Sequence, residues 1–155
     1  MKLCILGGGL TGLSLAKSLV KKGLSIDIFL NKKKSDFNRS RTIGISNDNL
    51  MYFNKEILDI KKLFWDIKKI EIYSDNLRNE KILNFENNNK TIFAIIRNYQ
   101  LQSKLLKSLK KDKLCKFKQN FDYNLSNLKK YKLIINCEND NYFSKKFFAR
   151  SLKKK

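Results

Sequence analysis

The stretch Gly7-Gly8-Gly9-Leu10-Thr11-Gly12 satisfies G-x-G-x-x-G, a spacing whose chemistry is the cradling of a dinucleotide pyrophosphate. Each glycine has a reason. Gly7 permits a tight turn off a strand, Gly9 lets the backbone approach the phosphates with no Cβ in the way, and Gly12 lets the following helix pack closely. The first N–H groups of that helix and the positive end of its dipole then favour an anion. Gly7, Gly8, Gly9, Leu10, Thr11 and Gly12 are therefore all assigned to a cofactor site. The flanking elements are the ones the motif requires. Lys2 to Leu6 is a short apolar run suited to a buried parallel strand. Leu13, Ala16, Leu19 and Val20 recur at helical spacing, Gly23 stands where a helix C′ residue belongs, and Ile26 to Leu30 starts a second strand. A dinucleotide site also expects an acidic residue at the end of that second strand, for the ribose hydroxyls. By spacing the position is Leu30, followed by Asn31 and then Lys32-Lys33-Lys34. Asn31 is assigned to the ribose, as a neutral amide weaker than a carboxylate, and the lysines would admit a 2′-phosphate, as in NADP.

Composition bounds what else the chain can be. Its 155 residues amount to one domain or a fragment of a larger protein, and 42% hydrophobic residues suffice for a core. The absence of His removes His-based triads and His metal sites. Three cysteines, at 4, 115 and 137, form no C-x-x-C pair. They read as reduced thiols, expected to be buried, and with no signal-peptide pattern at the N-terminus the expected location is cytoplasmic. The formal charge of +20 is within reach of a nucleic-acid or anionic-membrane binder. The charge is mostly Lys, spread evenly among Asn and Ile, with Arg at only five positions. A compositional drift explains that pattern without a ligand, so nucleic acid is not an expected partner. Lys153-Lys154-Lys155 reads as a solvated end.

Three further stretches resemble one family. Arg39-Ser40-Arg41-Thr42-Ile43-Gly44-Ile45-Ser46 resembles the Arg-x-Ile-Ala-Leu-Ser signature of the FAD-dependent ubiquinone-biosynthesis hydroxylases. These are class A flavoprotein monooxygenases similar to para-hydroxybenzoate hydroxylase. The resemblance implies that Arg41 lies against FAD and that a helix follows, which Asn47 to Ile57 can supply. Ile96 to Leu105 resembles the family's Asn/Arg-x-x-Leu-x-x-x-Leu helix start, with Asn98 near the cofactor and Leu101 and Leu105 facing the core. Helical spacing of Leu101, Leu105, Leu106 and Leu109 supports that helix independently. Tyr131 to Asn139 resembles the family's Asp-Leu-Val-Ile-Gly-Ala-Asp-Gly segment. Glu138 takes the Asp place, Asn139 replaces the Gly, and Ser144 and Arg150 loosely match the Ser and Arg that follow.

The fold expected is α/β: a Rossmann-like FAD-binding layer with the beginning of an antiparallel substrate-domain sheet, in a single domain. Residues 1–65 and 98–140 form its nucleotide-binding part. Residues from about 66 to 97, with alternating runs at Ile70–Tyr73, Lys81–Phe85 and Ile92–Ile96 between Asn-rich turns, start the substrate layer. The resemblance spans about the first 40% of a typical two-domain member. The chain is accordingly expected to be a truncated or split member, or a degenerate remnant, with a complementary C-terminal half or other ubiquinone-biosynthesis proteins as partners. The resemblance further implies FAD as cofactor, NAD(P)H as reductant, a quinone precursor as substrate, and contact with the inner face of an anionic membrane. The hard chemistry belongs to the flavin, so no residue is assigned as catalytic. Glu71 and Asp75 read as solvated acids beside Tyr73, Trp65 as a helix-packing residue, and Tyr99, Phe143, Phe147 and Phe148 as core. Three alternatives stay open: an NAD(P)-binding Rossmann oxidoreductase, a non-catalytic remnant of the flavoprotein fold, and a binding module for an anionic membrane or nucleic acid driven by the charge.

Overall fold

The computed structural model describes residues 2–30, 39–75, 78–119, 121, 129–138 and 141–147. The chain divides into two compact units, one formed by residues 1–36 with 102–155 and the other by residues 37–101.

The first unit is built on a four-stranded parallel sheet. Its strands are β1 (Lys2–Leu6), β2 (Ser25–Leu30), β8 (Cys115–Gln119) and β9 (Leu133–Asn136), in the order β8-β2-β1-β9. Leu3 pairs with Ile26 on one side and Leu133 on the other, so β1 is a central strand. That position explains its nearly continuous apolar sequence: both faces are covered. Helix α1 (Leu10–Lys21) buries Leu13, Ala16 and Val20, and Gly12 meets Ile5 of β1. The helix ends as the sequence predicts, with Gly23 in the left-handed region at φ +78° and its N–H donating to the Val20 carbonyl. The opposite face of the sheet carries Cys4 and Leu6, which with Tyr131 form a second cluster ringed by Phe29, Phe121, Ile134 and Phe143.

The second unit contains β3 (Thr42–Ser46), α2 (Asn47–Tyr52), a π-helical turn (Phe53–Ile57), β4 (Phe64–Ile67), β5 (Lys69–Tyr73), β6 (Lys81–Glu86) and β7 (Phe93–Arg97). Ser46 caps α2 by accepting from the Asn49 N–H. Helix α3 (Asn98–Lys110) starts in this unit, and from Gln102 onward it belongs to the first. Leu101, Leu105 and Leu109 are all buried, as their spacing requires. A last short helix, α4 (Tyr142–Phe147), lies in the first unit.

Three expectations need correction. The strands between residues 66 and 97 do not make one layer. β5 pairs with β6 alone, whereas β7 is the centre of a separate antiparallel sheet, β3-β7-β4. Ala94 and Ile96 of β7 are wholly buried while every residue of β6 is exposed, a difference in burial that alternation alone cannot reveal. Trp65 does not pack a helix. It sits on β4 opposite Ile95, half exposed, with the Arg97 guanidinium 5.4 Å from its ring centroid. Phe147 is exposed rather than core, although Phe143 stacks against it and joins the Cys4 cluster. The Asn-rich turns are confirmed in detail: Asn79, Asn88 and Asn89 adopt positive φ, which Asn tolerates better than most residues.

Candidate dinucleotide-binding site

The parallel sheet decides where a ligand can bind. β1 is continued by β2 and β8 on one side and by β9 on the other, so the strand order reverses beside β1. In open parallel sheets the crevice beyond the carboxyl ends of the strands at that reversal is the ligand site. The glycine turn leaves β1 at that end.

Gly7 has φ +114°, and its N–H donates to the Phe29 carbonyl at 3.0 Å. A Cβ there would lie 2.8 Å from Glu138 Cγ, so the turn after β1 and the turn after β9 touch. Gly12 is the tightest position. A Cβ on it would stand 2.2 Å from the Gly7 carbonyl oxygen, so only glycine lets α1 start this close to β1. Gly9 is the contrary case: it is exposed, and a Cβ would meet nothing within 4 Å. Gly9 is the N-cap of α1 in extended conformation, no side chain caps the helix, and no acidic residue lies in the first turn, which includes Leu10 and Thr11. The first-turn amides of α1 have no intrahelical acceptors. Open space over Gly9, uncapped amides and the absence of a first-turn carboxylate fit a pyrophosphate.

The expected ribose position is filled differently. Leu30 Cδ2 rests against Gly8, 2.3 Å from where a Cβ would be, so an apolar side chain holds the outside of the turn. Asn31 and Lys32–Lys34 lie outside the described residues, as do Asn139, Phe148 and Arg150.

Glu138 is half-buried beside the turn. Its backbone is held at both ends: its N–H donates to Asn136 Oδ1 (3.1 Å) and its carbonyl accepts from Ser144 Oγ (2.8 Å). Ser144, only loosely matched by sequence, thereby anchors the β9 turn, aided by Asn141. Within the second unit, Arg41 and Asn98 are brought together, the Asn98 N–H donating to the Arg41 carbonyl at 3.0 Å. The Arg41 side chain is exposed, and Asn98 Oδ1 is buried with no hydrogen-bond partner among the described residues. A buried unpaired acceptor is costly unless a ligand supplies the donor.

Two features were missed from the sequence. Gln102 Nε2 donates to the Gly8 carbonyl at 2.9 Å across 94 residues of sequence. Only its place one residue after Leu101 on a predicted helix hinted at a site role. The other is Asp27, in the middle of β2 and wholly buried. Its Oδ2 takes Lys118 Nζ (2.7 Å), Tyr131 Oη (2.8 Å) and Lys2 Nζ (3.0 Å). A carboxylate between Ile26 and Ile28 in a buried run was itself the signal, since such a charge must be paired. Burial alone would raise the Asp27 pKa, but the hydrogen bonds from Lys118, Tyr131 and Lys2 outweigh it and hold it below the ordinary value. Tyr131 is pushed up by burial and then by its bond to Asp27. Burial, with Asp27 nearby, raises the Cys4 thiol to about 12. Cys4 and Cys115 are buried, as expected, whereas Cys137 is half-buried; all three are free. Among the described residues no group of three or more Cys, Asp or Glu is placed to hold a metal, and no helix is long and apolar enough to cross a membrane.

No protein-family model matches this sequence, and no curated protein sequence does. Solved structures do match the fold. Over 99% of this chain and 46% of the other, it superposes on PqsL of Pseudomonas aeruginosa, a probable FAD-dependent monooxygenase, with a TM-score of 0.70 and 10% identity. p-Nitrophenol 4-monooxygenase PnpA of Pseudomonas putida DLL-E4 matches 76% of this chain and 31% of its own, with a TM-score of 0.62 and 16% identity. Klebsiella pneumoniae HpxO, solved with FAD and uric acid, matches 76% of this chain and 30% of its own, with a TM-score of 0.57 and 19% identity. The fold is therefore the mixed parallel and antiparallel α/β fold found in FAD-dependent monooxygenases. This chain spans less than half the length of each of those structures.

Proposed function

We propose that this chain is the FAD-binding part of a flavin-dependent aromatic monooxygenase. The observation that carries the reading is the glycine turn at the strand-order reversal, with Gly12 closed against the Gly7 carbonyl and Gly9 open to solvent. The shared fold supports FAD over a nicotinamide dinucleotide as the resident group, since HpxO was solved with FAD. The residues present fit it. Gly9 and the first-turn amides of α1 would bind the pyrophosphate. By the family resemblance Arg41 and Asn98, in the second unit, are also assigned to the cofactor; Asn98 Oδ1 is a buried acceptor with no partner among the described residues. Glu138 closes the turn against Gly7, and Leu30 covers one side of Gly8.

When bound and reduced by NAD(P)H, FAD supplies the activation of O₂ that ring hydroxylation needs. The finer reading places the reaction in ubiquinone biosynthesis, on a hydrophobic quinone precursor, with a complementary C-terminal half supplied by another polypeptide or by further sequence. The motifs at Arg39–Ser46, Ile96–Leu105 and Tyr131–Asn139 support it. A +20 charge favours peripheral contact with an anionic bilayer; salt-independent failure to sediment with phosphatidylserine vesicles would remove that part.

The main test is a visible absorbance spectrum after soaking the purified chain in FAD and desalting. A retained flavin band is the expected result. A colourless protein that ignores FAD yet binds NAD(P)H would transfer the site to the nicotinamide reading, and one that binds neither would leave a fold without its cofactor.

A further inference from the structure

We propose that Gln102 is a positioning residue for pyrophosphate binding, acting through the Gly8 carbonyl. This inference rests on the dinucleotide reading of the glycine turn.

A trans peptide unit is planar, and its C=O and N–H point in opposite directions. The Gly8 carbonyl and the Gly9 N–H belong to one such unit. The Gln102 amide, from the fifth residue of α3, holds that carbonyl at 2.9 Å in a part-buried setting. Fixing the carbonyl on one side fixes the Gly9 N–H on the other. Glycine residues would otherwise let this peptide rotate cheaply, because neither Gly8 nor Gly9 carries a Cβ to restrict φ and ψ. The rest of the turn is already tied: Gly7 by its N–H to Phe29 and by the Glu138 contact, Gly12 by the Gly7 carbonyl. Leu30 covers one side of Gly8 but, being apolar, cannot set the direction of a peptide dipole. Gln102 is the described side chain that does. Its effect falls on the phosphate-facing amide at open Gly9, so it works through the backbone and not by touching the ligand.

Gln102→Glu keeps the shape but replaces the donor with acceptors only, and Gln102→Met removes the polarity while keeping the length. Both are compared with the wild type for FAD and ADP binding by fluorescence and calorimetry, for adenosine binding by NMR titration, and for thermal midpoint. The expected result is a loss of about five- to tenfold in FAD and ADP affinity in both variants, the scale of one orienting hydrogen bond. Adenosine, which has no phosphate, keeps its affinity, and the Gly9 amide resonance shifts in the unliganded protein. Unchanged ADP affinity in either folded variant would overturn the proposal. So would an equal loss for adenosine, which would make Gln102 a general support of the fold. A wild-type chain that binds neither FAD nor ADP is a different failure: it overturns the dinucleotide reading itself, and this inference with it.

Discussion

Two carboxylates in this molecule hold the same kinds of partner in different environments. Asp27, in the parallel sheet, takes two lysines and a tyrosine. Glu71, on strand β5 of the hairpin, takes Lys69 at 3.0 Å, Lys81, and the Tyr73 hydroxyl at 3.2 Å. The Asp27 side chain is 1% exposed and its other oxygen has no described partner. The Glu71 pair of strands is open to solvent along all of β6. Both carboxyls are acidified, Glu71 to about 2 by its bonds from Lys81 and Lys69. Equal chemistry on paper is not equal energy. Water competes for every partner of Glu71 and salt screens them, whereas Asp27 cannot return to water without opening the sheet.

The largest expected effect is therefore at Asp27. Asp27→Asn should lower unfolding free energy by about 3 kcal/mol, the scale of breaking a buried pair from one side, read from urea unfolding at neutral pH. Because the folded-state pKa of Asp27 lies below its unfolded value, its contribution is complete above about pH 4, the ordinary Asp value, and fades as pH falls towards the folded value. A titration of stability should show that acid loss in the wild type and in Glu71→Gln, but reduced in Asp27→Asn. The next effect down is the tyrosine pair. Tyr131→Phe should cost about 2 kcal/mol, one buried charge-assisted hydrogen bond, while Tyr73→Phe changes the urea midpoint by no more than measurement error. At the bottom, Glu71→Gln should be indistinguishable from the wild type in 1 M salt. If Glu71→Gln and Asp27→Asn were equally harmful, burial would not be what separates the two clusters.

Much of the first unit was legible because its signals are local. G-x-G-x-x-G after an apolar run names a turn whose glycines each answer to a short-range constraint, and Gly7, Gly12 and Gly23 adopt the conformations or contacts their spacing implies. The α3 stripe of Leu101, Leu105 and Leu109 is likewise a property of one helix. The second unit was legible as strands but not as sheets. Nothing in the alternation of Phe93–Arg97 says whether β7 joins the β5–β6 hairpin or the β3 and β4 strands. Pairing is chosen by which neighbour buries Ala94 and Ile96, and that choice is made between residues far apart in the chain.

The same division holds for the site. The sequence by itself determined the glycine turn between β1 and α1, since planarity and steric exclusion at Cβ act within a few residues. Only the tertiary structure decided that Glu138 would lie on Gly7, that Gln102 would hold the Gly8 carbonyl, and that Asp27 would be gripped by Lys2, Lys118 and Tyr131. All but the Lys2–Asp27 pair join segments about 90 to 130 residues apart, and they exist because four parallel strands must be brought side by side before these side chains can meet.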